Sequence, residues 1–329
     1  MKKFILSIIM VALLGGGAWA YDFSARCSSG QTLYYTITSS TSVYRVMVVS
    51  YNNGSPYYDS YNYPTGNLTI PSTVTYEGRS YDVTSINANA FYGCNGLNTV
   101  TISNAITSIG ETAFGYCSNL TMVNFNATSC TSMGSSSRPV FMGCESLTTL
   151  NIGDNVTRIP EYAFRSCNGL TTVNFNATNC TTMGSSSKPV FSGCESLTTL
   201  NIGDNVRVIP SNAFYGCSSL SSLSIGNGVI SIGESAFKNC SGLTELSLGE
   251  SVTTIGTYAF LNCSGLASVN YTGDIGQWCG ISFNSQPLQY AHNLYVDNNL
   301  VTDLVIPNDV SEIKFNGIIP FSLVADIPT

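Results

Sequence analysis

The sequence predicts a repeat solenoid of short parallel β-strands, with turns or short helices between them. The first observation is a phenylalanine, preceded by alanine or valine, that recurs eight times at intervals of 23 or 27 residues. The second is a cysteine three residues after each phenylalanine. The third is an apolar pattern between successive pairs, as in Leu220-x-x-Leu223-x-Ile225 followed by Val229-x-x-Ile232. The phenylalanines are Phe91, Phe114, Phe141, Phe164, Phe191, Phe214, Phe237 and Phe260.

A unit of this length cannot bury its own apolar side, so it must stack on copies of itself. In the first strand of each unit, alternation directs the leucine, valine and isoleucine side chains inward and two residues outward. We therefore expect a stacked core with one polar ribbon of first-strand side chains.

The first twenty residues predict an export signal, which we place at residues 1–20. Lys2 and Lys3 precede an apolar run from Phe4 to Leu14, and Ala18-Trp19-Ala20 has the small-x-small form of a cleavage site. No later run approaches the ~20 apolar residues of a membrane span. We expect an exported protein, secreted or at the cell surface, with no membrane span in the mature chain.

Residues 21–66 are predicted to form a β-structured N-terminal region that covers the apolar end of the stack, through "TLYYTI" and "VYRVMVVSY". The tyrosine-rich stretch from Tyr51 to Gly66 is either an interface or a loop that joins these strands to the first coil.

The repeats are predicted to occupy residues 67–313. Residues 121–160 and 171–210 differ at seven of forty positions, which indicates duplication of a pair of coils. In each copy, a variant coil carries extra residues in "SSSRP" or "SSSKP" before the phenylalanine. We expect a bulged, serine-rich turn at both places.

Residues 314–329 are predicted to be an irregular or truncated tail. After Val310-x-x-Ile313, the chain continues with Lys314 and Phe315 and lacks the next Ala-Phe-x-x-Cys. The tail is either a C-terminal cap or the result of a truncation or frame shift in the gene. Its apolar composition favours truncation, since a cap needs a polar outer face.

Composition and charge exclude several function classes. Only 9% of residues are charged and the net charge is −7, so nucleic acid is excluded as a partner. The only histidine is His292, and no Cys-x-x-Cys occurs. We therefore predict no enzyme: no catalytic residues, no cofactor and no metal site.

The twelve cysteines raise the alternative of disulfides, which exported proteins commonly contain. Equivalent cysteines of adjacent coils lie ~4.8 Å apart with parallel side chains, whereas a disulfide needs Cβ atoms ~3.8 Å apart that converge. We predict buried free thiols that act as small apolar residues.

The unit from Leu243 to Leu266 resembles the BspA-like leucine-rich repeat, also called the treponemal type, and so does the longer coil from Tyr271 to Val310. The segments "FSARCSSGQTLYYTITSS" and "LTIPSTVTYEGRSYDVTSI" are similar to the region that often precedes these repeats. The resemblance implies a leucine-rich-repeat solenoid and an exported bacterial protein. It also implies a non-enzymatic, protein-binding role, with adhesion to extracellular matrix or cell-surface proteins.

The outward side of the first strands is the predicted binding face. An ordinary solvated sheet face is the alternative, and a secreted glycan-binding module is the alternative function. With almost no charge on this ribbon, binding should depend little on salt. The predicted residues are Thr99, Thr101, Asn124, Thr149, Asn151, Thr172, Asn174, Thr199, Asn201, Ser222, Ser224, Glu245 and Ser247.

Overall fold

A computed structural model describes residues 21–41, 43–51, 63–283, 291 and 293–301. The predicted export signal, most of the tyrosine-rich stretch, His292 and the predicted tail lie outside these residues. Among the described residues, no helix has the length and apolar character needed to cross a membrane.

The described chain is a parallel β-solenoid, as the sequence predicts. The first strands of the coils are β4 (Gly66–Ile70), β7 (Leu97–Ile102), β9 (Met122–Phe125), β11 (Thr149–Ile152), β13 (Thr172–Phe175), β15 (Thr199–Ile202), β17 (Ser222–Ile225), β19 (Glu245–Leu248), β21 (Ser268–Tyr271) and β23 (Asn293–Val296). They form a six-stranded sheet from β4 to β15 and a second sheet from β17 to β23, which ends in the antiparallel strand β24 (Asn299–Leu300).

The second strands of the coils are shorter, with two residues each. They are β8 (Ser108–Ile109), β10 (Ser132–Met133), β12 (Arg158–Ile159), β14 (Thr182–Met183), β16 (Val208–Ile209), β18 (Ser231–Ile232), β20 (Thr254–Ile255) and β22 (Ser282–Phe283). Their ladder is interrupted between β10 and β12 and again between β14 and β16.

Proline contributes to both interruptions. In regular coils, the residue after the second strand is a glycine whose N–H donates to the preceding coil, as from Gly110 to the Ile86 carbonyl at 2.8 Å. Pro160 and Pro210 stand at this position in the coils that follow the two serine-rich turns. Proline has no N–H, so the carbonyls of Met133 and Met183 lose this donor. At the first interruption the bond before the strand is displaced as well, since Thr157 N–H donates to the Thr128 carbonyl.

The N-terminal strands extend the sheet of second strands. The strands β1 (Phe23–Arg26), β2 (Thr32–Ser39) and β3 (Arg45–Val49) are antiparallel, and β3 pairs in parallel with β6 (Arg79–Ile86). The strand β5 (Thr73–Tyr76) forms a hairpin with β6. Phe23 stacks on Tyr76 with centroids 4.2 Å apart, which ties the segment to the first coil. The predicted boundary between residues 66 and 67 stays a prediction.

Turns, rather than helices, lead from the second strand past each phenylalanine. In the regular coils, the residue two positions before the phenylalanine has a positive φ, as at Asn89 (55°) and Asn212 (59°). This left-handed conformation interrupts any helix, and Asn tolerates it better than most residues. The one α-helix among the described residues is α1 (Ile275–Gly280), which begins with a capping box between Asp274 and Gln277.

Two aligned columns of side chains fill the core. The eight repeat phenylalanines stack ring on ring, with centroids 4.9 to 6.0 Å apart. All twelve cysteines are buried and unpaired, which confirms the prediction of free thiols. Five thiols also donate to the carbonyl of the preceding coil's phenylalanine, as from Cys144 Sγ to the Phe114 oxygen at 2.9 Å. The cysteine is therefore a hydrogen-bond donor as well as a small core residue.

Burial raises the pKa of several of the thiols. The pKa of Cys130 and of Cys180 rises to about 11, chiefly because burial disfavours the thiolate. Burial also raises the pKa of Cys94, Cys217 and Cys279. The pKa of Cys117, Cys167 and Cys240 is also raised, first by a hydrogen bond with a neighbouring thiol and second by burial.

We predict that the free energy of unfolding falls as pH rises above about 9, because the unfolded chain then releases thiol protons that the folded chain retains. Each such thiol contributes at most about 1.4 kcal/mol per pH unit. Replacing Cys130 and Cys180 with valine removes two of these thiols. Valine occupies the same place in regular coils, at Val229 and Val252. Urea unfolding with reductant at pH 7, 9 and 10 should show a shallower decline for this variant, and identical slopes would contradict the prediction.

Candidate functional site

The predicted face is formed by the outward side chains of the first strands, and we call it the strand face. In the first sheet, parallel pairing places its side chains in two rows, in register from coil to coil. The outer row is Thr99, Met122, Thr149, Thr172 and Thr199, and the inner row is Thr101, Asn124, Asn151, Asn174 and Asn201.

The inner row is a continuous ladder of hydrogen-bonded side chains. Asn124 Nδ2 donates to Thr101 Oγ1 at 3.0 Å, and Asn151 Nδ2 donates to Asn124 Oδ1 at 2.7 Å. Asn174 and Asn201 continue the pattern at 2.6 and 2.7 Å. Every amide thus points its N–H toward the preceding coil, and the row has one direction.

The ladder holds these amides in fixed orientations. An asparagine amide has two N–H donors and an oxygen with two acceptor positions. The ladder uses one donor and one acceptor of each inner amide, such as that of Asn151. One N–H and one acceptor position of each remain for a partner, and the ladder has already ordered them.

The structure divides the predicted residues between two sheets. Thr99 to Asn201 share the first sheet, whereas Ser222, Ser224, Glu245 and Ser247 lie in the second, with Ser222 opposite Glu245 and Ser224 opposite Ser247. The strands β15 and β17 are not hydrogen-bonded to each other, so the amide ladder and the sheet end at the same strand. Next to this break, Ile202 is half-buried, whereas the equivalent Ile152 and Phe175 are fully buried.

The strand face carries almost no charge. Glu245 is the one charged side chain among the thirteen predicted residues, and it lies in the second sheet. Within the described residues, no group of three His, Cys, Asp or Glu side chains is placed to hold a metal ion. The face can therefore offer hydroxyl and amide hydrogen bonds and little else.

Sequence reasoning missed a concave surface, which we call the notch. It lies between the two serine-rich turns, at residues 134–139 and 184–189, and has a volume of about 480 Å³. Its floor includes residues of β10, β12 and β14, where Pro160 interrupts the ladder of second strands. The signal was present in the sequence, since Ile159-Pro160 replaces the Ile-Gly of regular coils.

The family model described as "BspA type Leucine rich repeat region" matches this chain with six copies, over residues 61–187 and 187–289. These segments cover well over half of the chain and include the strands of both surfaces. None of the curated proteins matches the sequence.

Several solved structures of bacterial proteins are similar to this chain. A leucine rich cell surface protein from Faecalibacterium prausnitzii has 20% identity and a TM-score of 0.29, covering 79% of this chain and 97% of that one. A leucine-rich repeat protein from Bacteroides ovatus has 21% identity and a TM-score of 0.32, with 84% and 91% covered. The T. pallidum leucine rich repeat protein has 20% identity and a TM-score of 0.35, with 71% and 87% covered.

The ladder predicts unequal costs for two substitutions on one strand. Asn151→Ala removes two ladder hydrogen bonds, which should lower the free energy of unfolding by about 1–2 kcal/mol. Thr149→Ala changes the outer row of the same strand and should cost about 0.5 kcal/mol or less. Urea unfolding of both variants checks this, and equal losses would show that the ladder does not stabilise the fold.

Proposed function

The chain belongs to the BspA-type leucine-rich repeat family, and from that premise we propose that it is an exported protein that binds other proteins through its strand face. The repeat family and its solenoid fold are typically non-enzymatic. The proposed partners are extracellular matrix or cell-surface proteins, and the proposed role is adhesion.

The observation that carries this proposal is the amide ladder. Binding normally costs the entropy of every side chain that must be immobilised at the interface. On the strand face, Asn124, Asn151 and Asn174 are already held by hydrogen bonds to their neighbours. An extended partner can therefore pair with the remaining amide and hydroxyl groups at a smaller entropic cost.

The dimensions of the face set the expected strength of binding. Six strands spaced ~4.8 Å apart, with four residues each, span about 24 Å by 13 Å. The resulting area of about 300 Å² is well below the ~800 Å² that each partner buries in a standard protein complex. We expect a single face to bind weakly, and firm attachment to need several copies of the protein on one surface.

Glycan binding is the second candidate function. The strand face does not favour it, because the ladder already occupies part of each amide's hydrogen-bonding capacity. The notch does favour it.

We predict that Thr149→Lys combined with Thr199→Lys abolishes saturable binding of the purified chain to immobilised matrix proteins. Both threonines lie in the outer row, outside the ladder, so the lysines should block a partner without removing a ladder bond. The matched control is Val208→Lys with Ile230→Lys, which adds the same charge at exposed apolar residues near the second strands. Loss of binding in both variants, or in neither, would refute the role of the strand face.

Binding should also change little between low and physiological salt, since hydrogen bonds rather than ion pairs would hold the partner. Surface plasmon resonance at two salt concentrations measures this. A steep loss of affinity with salt would contradict hydrogen-bonded recognition.

A further inference from the structure

The notch has an unpaired positive charge on its floor. Arg158 is an exposed residue of β12, and among the described residues its guanidinium has neither a carboxylate partner nor a hydrogen bond. The other cation that lines the notch, Lys188, is neutralised by Glu161 at 2.7 Å. Arg158 is thus the group available to an anionic ligand.

The contacts around Glu161 fix one wall of the notch. Glu161 accepts from Lys188 Nζ and, at 3.2 Å, from Ser185 Oγ, and the ion pair lowers the pKa of its carboxyl group. Tyr162 donates its hydroxyl to the Ser187 carbonyl at 3.1 Å. These bonds join the second serine-rich turn to the coil before it and give the notch a defined shape.

Hydroxyl groups make up much of the remaining lining. Thr131, Ser132, Ser135, Ser136 and Thr182 all line the notch. A hydroxyl both donates and accepts, so this set suits a ligand rich in hydroxyls. Thr131 Oγ1 already donates to the Thr107 carbonyl and Ser135 Oγ accepts from the Arg138 N–H, each at 3.2 Å, so Ser132, Ser136 and Thr182 are the main candidates. The volume of about 480 Å³ lies within the usual range of about 300 to 1,000 Å³ for small-ligand sites.

The two duplicated copies differ in the residues that line the notch. Residues 121–160 and 171–210 differ at only seven of forty positions, and one of these is Arg158, which corresponds to Val208. Directly after these segments, Glu161 corresponds to Ser211 and Tyr162 to Asn212. At these three positions the second copy therefore lacks the charged and aromatic side chains that line the notch. Val208 in the second copy also shows that the fold accommodates a valine at the position of Arg158.

We propose that the notch binds a saccharide that carries a carboxylate, with Arg158 pairing with the carboxylate and the serine and threonine hydroxyls contacting the sugar. A planar guanidinium matches a carboxylate in a bidentate pair. An extended acidic peptide fits less well, because the unpaired edge at β10 is only two residues long. This site lies among the second strands, apart from the strand face. It deepens the glycan-binding candidate named above and does not depend on protein binding through the strand face.

The test is titration calorimetry of the purified chain with two acidic sugars and their neutral counterparts. Sialyllactose is compared with lactose, and a glucuronic acid disaccharide with its methyl ester, so that the two pairs distinguish the possible sources of the carboxylate. We expect at least one acidic sugar to bind about tenfold more tightly than its neutral counterpart, since a hydrogen bond to a charged group is worth that much.

The matched variants are Arg158→Val and Arg207→Thr. Each exchanges a residue for its counterpart in the other copy and removes one positive charge, with unchanged urea unfolding as the check on folding. Arg158→Val should remove the preference for the acidic sugar, whereas Arg207→Thr should keep it. The proposal is overturned if neither acidic sugar binds saturably, if the acidic and neutral sugars bind equally, if both variants behave alike, or if a glutamate-rich tetrapeptide binds as tightly.

Discussion

Each coil buries its phenylalanine against the phenylalanine of the next coil, and the other regular features depend on this stacking. Centroid distances of 4.9 to 6.0 Å along the column keep successive coils in one register. In that register, the cysteine three residues on reaches the preceding phenylalanine carbonyl, as Cys263 reaches Phe237 at 3.2 Å. The same register places Asn151 above Asn124, so the polar ladder on the surface follows from the aromatic column in the core.

Much of this fold could be predicted from the sequence, because the spacing and pattern of a repeat indicate how each coil is built. The interval between Phe214 and Phe237 defines a coil, and alternation around Leu223 assigns its inward and outward residues. The direction of the amide ladder could not be predicted, because it depends on side-chain torsions rather than residue order. The effect of Pro160 was also hidden, because the carbonyl that loses its donor belongs to Met133, a full coil earlier in the chain.

Duplication and divergence have produced two different surfaces in one array. The strand face is nearly identical in both copies, since Asn124, Asn151, Asn174 and Asn201 occupy equivalent positions. The lining of the notch differs between the copies, with Arg158 in one and Val208 in the other. Pressure to preserve the stack explains the first observation, because the outward rows follow the register of the core. It does not explain the second, since either residue is compatible with the exposed first position of a two-residue strand.

A surface that repeats every coil offers a partner several equivalent positions. A partner that pairs with the amides of Asn124 and Asn151 can pair equally with those of Asn151 and Asn174, because the hydrogen bonds are the same. Such a surface gains affinity from the number of ways to bind, but it cannot fix one register or reject partners that share the same spacing. Selectivity must therefore come from the places where the repetition stops. Two such places in the described chain are the break after β15, where Ile202 is partly exposed, and the notch around Arg158.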